Sequence, residues 1–151
     1  MTNPCTIQLC DQPFEPLEAL AGWQRQLEGE ALGPAAAEAH FIGRVRATSA
    51  SGAPLEALEL EHYPGMTEMQ LAQLSQACAE RHGAEAVLVI HRVGRIRPGE
   101  AIVLVAVTAD RRGPAQRCGQ ELLERLKHEA PFWKREWSGG VGTWVEGNTA
   151  W

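Results

Sequence analysis

The chain has 151 residues, of which 22% are charged and 44% hydrophobic, and its formal net charge is -5 at pH 7. A chain of this length fits one domain, residues 1–151, and can bury roughly two-thirds of its unfolded surface. The acidic balance argues against a nucleic-acid surface, and no apolar run reaches membrane-spanning length. These features predict a soluble cytoplasmic protein with neither nucleic acid nor membrane as a partner.

The cysteines do not predict a redox or metal site. The four of them include no C-x-x-C pair and have no zinc-ligand spacing with the five histidines. We therefore expect no metal and no cofactor.

The segment CTIQLC predicts a short strand and PLEALAGWQRQL an amphipathic helix. AEAHFIGRVRA and LEALELEHY are interpreted as an antiparallel ribbon, with Glu59, Glu61 and His62 facing solvent or a subunit partner. Thr67 is expected to cap the next helix, which ends at Gly83.

In the second half, AVLVIHRVG and AIVLVAVTA predict central strands, and His91 is interpreted as a hydrogen-bonded structural residue rather than a base. A helix opens at Gly113-Pro114 and should stop near Ala130, before Pro131. The last nineteen residues predict a loop-rich cap or an interface. The order β-α-β-β-α-β-β-α-β predicts an α+β fold.

The cations are concentrated in one part of the chain, since ten of the fourteen lysines and arginines lie between His91 and Glu136. Such a cluster in an acidic protein favours a small anionic ligand or an acidic partner segment. Twelve of the fourteen are arginine, and the only two lysines, Lys127 and Lys134, flank the sequence APFW. Lysine, unlike arginine, can lose its proton when it is buried beside other cations. Composition alone favours the alternative, two solvated surface lysines.

Three cationic clusters lie at the ends of predicted elements: Arg44 with Arg46, Arg111 with Arg112, and Lys127 with Lys134. The Arg111–Arg112 pair precedes a helix N-terminus, where free N–H groups favour a phosphate. Taken singly, this pair is more often a solvated strand end. Spacing alone therefore predicts an α+β domain with a local anion site.

The motifs carry a more specific signal. FIGRVR, LELEHYPGMTE, VIHRVGRIRPGE, LKHEAPFWKRE and WVE occur in that order. Together they closely resemble the catalytic (large) subunit family of molybdopterin synthase, from about Ala39 to Glu146. The resemblance implies an α/β-hammerhead fold, with a mostly antiparallel sheet and packed helices.

The resemblance also implies a function, that of a sulfurtransferase in molybdenum cofactor biosynthesis. In that family a small ubiquitin-like carrier subunit brings a C-terminal Gly-Gly thiocarboxylate, and its sulfur passes to cyclic pyranopterin monophosphate to form the dithiolene of molybdopterin. A homodimer of large subunits with a carrier at each end makes a heterotetramer. The alternative is a non-catalytic homologue that binds the carrier or a pterin phosphate.

Family site positions carry over residue by residue to this chain. Lys127 is interpreted as the general acid/base and Lys134 as an electrostatic clamp, although the two roles can be exchanged. Arg111 stands where the family commonly has histidine, and Gln116 where it commonly has phenylalanine. The implied substrate-binding residues are Arg44, Val45, Arg46, Arg111, Arg112, Lys127, Lys134, Arg135 and Glu136.

Overall fold

The computed structural model describes residues 4–30 and 34–145. Within these ranges three helices pack against two four-stranded sheets, which confirms the α+β prediction. All strand pairs are antiparallel except that of the first strand with the fourth. The elements are β1 (Cys5–Cys10), α1 (Pro16–Gly29), β2 (Ala37–Arg44), β3 (Ala57–His62), α2 (Met66–His82), β4 (Ala86–Arg92), β5 (Gly94–Ile96), β6 (Ala101–Ala109), α3 (Arg112–Glu129), β7 (Phe132–Ser138) and β8 (Val141–Trp144).

The first sheet has the strand order β1-β4-β6-β2, so the two β-branched strands β4 and β6 are central, as predicted. Helix α1 covers one face with Leu20, Trp23 and Leu27. Helices α2 and α3 cover the other face with buried leucines and with Cys78 and Cys118. Because both faces are buried, the central strands have near-continuous apolar sequences instead of an alternating pattern.

The helix ends follow local chemistry, with one correction. Helix α3 ends at Glu129 because Pro131 holds Ala130 in an extended conformation (ψ 136°), as predicted. Helix α2 ends at Gly83, also as predicted, with φ at 71°. The expected cap at Thr67 is wrong, because Thr67 lies inside the first turn and its hydroxyl accepts a hydrogen bond from the Tyr63 N–H.

The second sheet has the order β5-β3-β7-β8 and corrects two sequence predictions. Strands β2 and β3 do not form a ribbon: β2 pairs with β6 in the first sheet, and β3 pairs with β5 and β7. Alternation predicts a strand but not its partner. The tryptophan-rich tail is not loop-rich up to Val145, because β7 and β8 form a hairpin whose turn residues Gly139 and Gly140 both have positive φ. Residues 146–151 lie outside the described ranges.

A small core joins the two sheets. Val45, Leu55, Leu60 and Ile96 form it, and Phe132 and Ile102 pack against both this core and the α2/α3 side of the first sheet. The start of β7 therefore lies at the junction of the sheets, close to the end of α3.

Candidate functional site

The two lysines converge at this junction. Lys127 lies in the last turn of α3, and Lys134 lies on β7 beyond the break at Pro131. The pKa of Lys134 is lowered by burial and further by the charge of Lys127. Neither lysine forms an ion pair with a carboxylate of residues 4–30 or 34–145. The site thus holds two cations whose mutual repulsion is not compensated.

Strand register decides which neighbours share the face of Lys134. Alternate residues of a strand point to the same side of the sheet, so Phe132, Lys134 and Glu136 share one face of β7. In the register with β3 they lie opposite His62, Leu60 and Leu58 respectively. Leu60 belongs to the junction core, which places the lysine face against the first sheet.

Histidines line the lysine site, a feature that the sequence motifs did not reveal. The ring of His91 stacks on Phe132 with centroids 4.2 Å apart. Its Nδ1 lies 2.8 Å from the carbonyl oxygen of Arg92, and because a carbonyl only accepts, Nδ1 carries the proton. Burial lowers the pKa of His91 to about 4, and the charges of Lys134 and His62 act in the same direction. His91 is therefore a neutral, hydrogen-bonded residue, as expected, but it borders the lysines.

His62 differs from its expected position. It shares the parity of Leu58 and Leu60, not that of Glu59 and Glu61, and its ring lies 6.5 Å from that of Phe132. Its Nδ1 is buried and has no hydrogen-bond partner within residues 4–30 and 34–145. The alternation of the sequence LELEH was the signal that could have placed His62 on the inner face. In a strand His62 shares a face with Leu58 and Leu60.

Arg135 does not share the lysine face. It lies on the outer face of the second sheet, where its Nη2 is 3.1 Å from Glu59 and 3.2 Å from Glu61. Its guanidinium also lies over the rings of Trp137 and Trp144. Of the implied segment Lys134 to Glu136, the structure brings Lys134 and Glu136 together and separates Arg135 from them.

The Arg44–Arg46 segment lies at the same end of the first sheet as the lysines. Arg44 ends β2 opposite Ala101, and the strand register shifts between Gly43 and Arg44. Val45 is buried in the junction core with Leu60, while the two arginines are exposed. The buried Val45 therefore holds this segment in place, and Arg44 and Arg46 on either side of it can bind an anion.

Arg111 and Arg112 lie at the opposite end of the molecule. Arg111 is the N-cap of α3 and Arg112 its first residue, and the 15 positions by which Lys127 follows Arg112 correspond to about 22 Å along a helix axis. Arg111 is 82% exposed, and its nearest carboxylate is that of Asp110 at 4.0 Å. Within one chain these two arginines cannot reach a ligand held by the lysines.

Neither a metal centre nor a membrane helix is found among the residues that the structure describes. No group of three or more histidine, cysteine or acidic side chains in those ranges could hold a metal ion. None of the three described helices combines the length and apolarity needed to span a bilayer. Burial raises the pKa of both Cys78 and Cys118 to about 12, which keeps these thiols protonated and unreactive.

Comparison with known proteins gives a consistent result. The family model described as "MoaE protein" matches residues 12–129. The molybdopterin synthase catalytic subunit of Cereibacter sphaeroides is 43% identical over 92% of this chain and 90% of its own length. The molybdopterin synthase catalytic subunit of Ralstonia nicotianae is 46% identical over 73% of this chain. The match covers 62% of that relative's own length. The structure titled "Molybdopterin biosynthesis MoaE protein" from Burkholderia ambifaria is 35% identical, with a TM-score of 0.76 over 96% of this chain and 91% of that one.

Proposed function

Because this chain belongs to the MoaE protein family, we propose that it transfers sulfur as the catalytic subunit of a molybdopterin synthase. The donor is the C-terminal thiocarboxylate of a small ubiquitin-like carrier, and the acceptor is cyclic pyranopterin monophosphate. The observation that supports this function best is the convergence of the chain's only two lysines, without ion pairs, at the junction of the two sheets.

The chemistry needs both a fixed positive charge and a mobile proton. The thiocarboxylate sulfur forms a carbon–sulfur bond with the pterin side chain, and an oxygen of the substrate leaves as water after protonation. Water then cleaves the acyl–sulfur bond, so the carrier keeps a carboxylate and the sulfur stays on the pterin. A second thiocarboxylated carrier repeats the transfer, because the dithiolene contains two sulfur atoms. An ammonium beside the carbonyl stabilises the oxyanion formed in this hydrolysis.

The lowered pKa of Lys134 supports exchanging the roles implied by the resemblance. A group that loses its proton more easily is the better acid–base catalyst near neutral pH. Lys134, held between His91 and Lys127, is thus the acid–base group in our proposal, and Lys127 supplies the charge that clamps the thiocarboxylate. Arg44 and Arg46 lie where they can hold the substrate's phosphate bidentately.

We further propose that the working site contains residues of two copies of this chain. Arg111 and Arg112 are about 22 Å from the lysines along α3 of their own chain. A two-fold dimer allows the N-terminus of α3 in one copy to approach the lysines of the other. With a carrier bound at each end, the assembly is a heterotetramer.

The remaining parts of the proposal concern the chain as a whole. Residues 1–151 form one domain of the large-subunit type, since the junction core and Phe132 join the two sheets. Its four cysteines are all free, which suits a reducing compartment, and we place the protein in the cytoplasm. The reaction as written uses neither a metal nor an organic cofactor.

The decisive experiment mixes the purified protein with thiocarboxylated carrier and pterin precursor and measures the dithiolene product. Lys127→Ala and Lys134→Ala should each reduce the rate roughly a hundredfold or more. Arg25→Ala, which removes an exposed cation from α1, is the matched control and should react at the wild-type rate. Wild-type activity in both lysine variants would exclude the proposed mechanism.

Lys134→Arg separates the two lysine roles, because arginine keeps the charge but does not deprotonate in proteins. A rate close to zero supports proton transfer by Lys134, and an unchanged rate shows that Lys134 acts only as a clamp. Lys127→Arg should retain much more activity than Lys134→Arg if the exchanged assignment is correct.

A second candidate function rests on Arg111, which replaces the histidine common in the family. In this alternative the protein binds the carrier or the pterin phosphate without transferring sulfur. Saturable binding of both partners without dithiolene product, in a wild-type preparation, would favour it.

A further inference from the structure

A cavity of about 460 Å³ lies away from the lysine site, between the loop that follows β1 and the segment from β5 to β6. Its walls include Asp11, Arg92, Arg95, Arg97 and Glu100. Three of the chain's twelve arginines therefore meet here, although the proposed sulfur transfer uses none of them.

Arg92 is the unusual member of this group. Its side chain is only 2% exposed, and one of its nitrogens, Nη2, donates to the carbonyl oxygen of Arg95 at 3.1 Å. Nη1 lies 3.9 Å from the Glu100 carboxylate, which is too long for a hydrogen bond, and neither Nη1 nor Nε has a hydrogen-bond partner among the residues that the structure describes. A buried charge normally has close partners, so this guanidinium leaves positive charge at the cavity wall incompletely compensated.

The other two arginines keep their donors available to the cavity. Arg95 is half exposed, its ion pair with Glu56 is loose at 3.7 Å, and its guanidinium lies over the Trp137 ring, 5.0 Å from the centroid. Arg97 is exposed, and its side chain makes no ion pair or hydrogen bond within the described ranges. The Glu100 carboxylate accepts the backbone N–H of Arg97 at 2.7 Å and lies 3.9 Å from Arg92, so it offsets part of the positive charge of the three arginines.

Strand register separates this cavity from the lysines. Arg95 lies opposite Glu59 in the pairing of β5 with β3, and Glu59 lies opposite Arg135 in the pairing of β3 with β7. Arg95 therefore belongs to the outer face of the second sheet, whereas Lys134 belongs to the inner face.

We propose that this cavity is a second anion site that binds a phosphate group, and that it is independent of the proposed sulfur transfer. Arg95 and Arg97 hold the phosphate oxygens with paired N–H donors, a geometry in which guanidinium groups are most effective. Arg92 contributes its charge from the buried wall, where water screens it little. Asp11 opposes the bound anion and so limits the affinity.

The test is a calorimetric titration of the intact protein with orthophosphate, with chloride added to keep the ionic strength constant. Wild-type protein should show saturable binding. Arg97→Gln should weaken it roughly tenfold or more, since a hydrogen bond to a charged group is lost. Asp11→Asn should strengthen it severalfold, and Arg25→Gln, the same charge change on a remote exposed arginine, should leave it unchanged.

Opposite signs for Arg97→Gln and Asp11→Asn are the result that supports the site, because a non-specific effect of net charge would also appear in Arg25→Gln. Equal affinities in Arg97→Gln and wild type, or no saturable binding, would overturn the proposal. Both changed side chains are exposed, so unchanged melting temperatures are expected to show that each variant is folded.

One further variant keeps this test separate from the proposed function. If the double substitution Arg44→Gln and Arg46→Gln abolishes phosphate binding while Arg97→Gln does not, the phosphate occupies the substrate site and the cavity proposal fails. A parallel titration with phenyl phosphate compares the affinity for a phosphate monoester with that for the free ion. The cavity has room for a group larger than phosphate.

Discussion

Lys134 is a residue at which burial and charge both oppose stability. Its ammonium is partly withdrawn from water, it repels Lys127, and no carboxylate within residues 4–30 or 34–145 pairs with it. Such an arrangement costs folding free energy and is characteristic of a functional group that gains or loses a proton.

Replacing this lysine should therefore stabilise the fold. With its pKa below the ordinary value of 10.5, the unfolded state binds more protons between the two values, so wild-type stability rises with pH in that window. Below the folded pKa the penalty is fully present, and there Lys134→Met should melt at a higher temperature than the wild type. The gain should shrink as the pH approaches 10.5. Arg25→Met, an exposed control, should change little, and a lower melting temperature for Lys134→Met would contradict the argument.

His91 should govern acid sensitivity, with the same sign as Lys134 but in a lower pH window. Its folded pKa of about 4 lies below the ordinary histidine value of 6.5, so the unfolded state takes up a proton first and stability falls as the pH drops from 6.5 to 4. His91→Phe keeps the stack on Phe132 but cannot be protonated, and should flatten this part of the stability profile. Urea denaturation at pH 4, 5, 6 and 7 measures it, and equal slopes for both proteins would refute the role.

The two site lysines could be predicted from the sequence, but the residues that surround them in the fold could not. Two lysines among fourteen cations are conspicuous in composition, and the motifs that resemble the family identified them. The stack of His91 on Phe132 joins residues 41 positions apart, and it depends on how the two sheets pack. Likewise, the resemblance to the family grouped Arg135 with Lys134, whereas strand pleating sends the two side chains to opposite faces.

At the scale of elements, the β7–β8 hairpin is stabilised on its outer face by contacts between tryptophan rings and charged side chains. Arg135 lies over Trp144 at 4.4 Å and over Trp137 at 5.2 Å, and Glu59 accepts a hydrogen bond from the Trp137 indole. Cation–π contacts and charged hydrogen bonds thus keep β7 in register with β3. This register sets the position of Lys134 on the other face.

The hairpin also depends on one glycine. A Cβ at Gly142 would lie 2.8 Å from Cδ of Arg135 and 3.0 Å from the Trp137 ring, whereas one at Gly29 would meet nothing within 4 Å. Gly142→Ala should therefore cost about 1–3 kcal/mol of stability through overpacking. Gly29→Ala, the matched control near a helix end, should be neutral or slightly stabilising. Chemical denaturation followed by tryptophan fluorescence distinguishes them, and equal stabilities would show that the hairpin adjusts freely.

Element types were easier to predict than element partners. The three helices and the central strands follow from periodicity and from signals such as Pro131 and Gly83, which act on their immediate neighbours. The assignment of β2 and β3 to different sheets could not be predicted, because it depends on long-range burial. The tail was misjudged because glycines that form the turn of a hairpin were interpreted as loop residues.

For the whole molecule, the length of α3 sets the main constraint on the site. The helix carries Arg111 and Arg112 at its start and Lys127 in its last turn. A site that uses both ends of one rigid helix needs a second copy of the chain. A two-fold axis then creates two identical sites, each with the lysines of one copy and the arginine pair of the other.

Mixing two inactive variants tests this arrangement. In a dimer that pairs Lys127→Ala with Arg112→Gln, one site receives both defects and the other receives none. Random pairing from equal amounts should thus restore about a quarter of the wild-type sites. Lys127→Ala mixed with Lys134→Ala is the matched control, because both defects affect the lysine half and every mixed dimer keeps a defect in each site. Single-turnover product formation after co-expression measures the recovery. If the first mixture is no more active than its components, each copy works alone, and the arginine pair does not contribute to the partner's site.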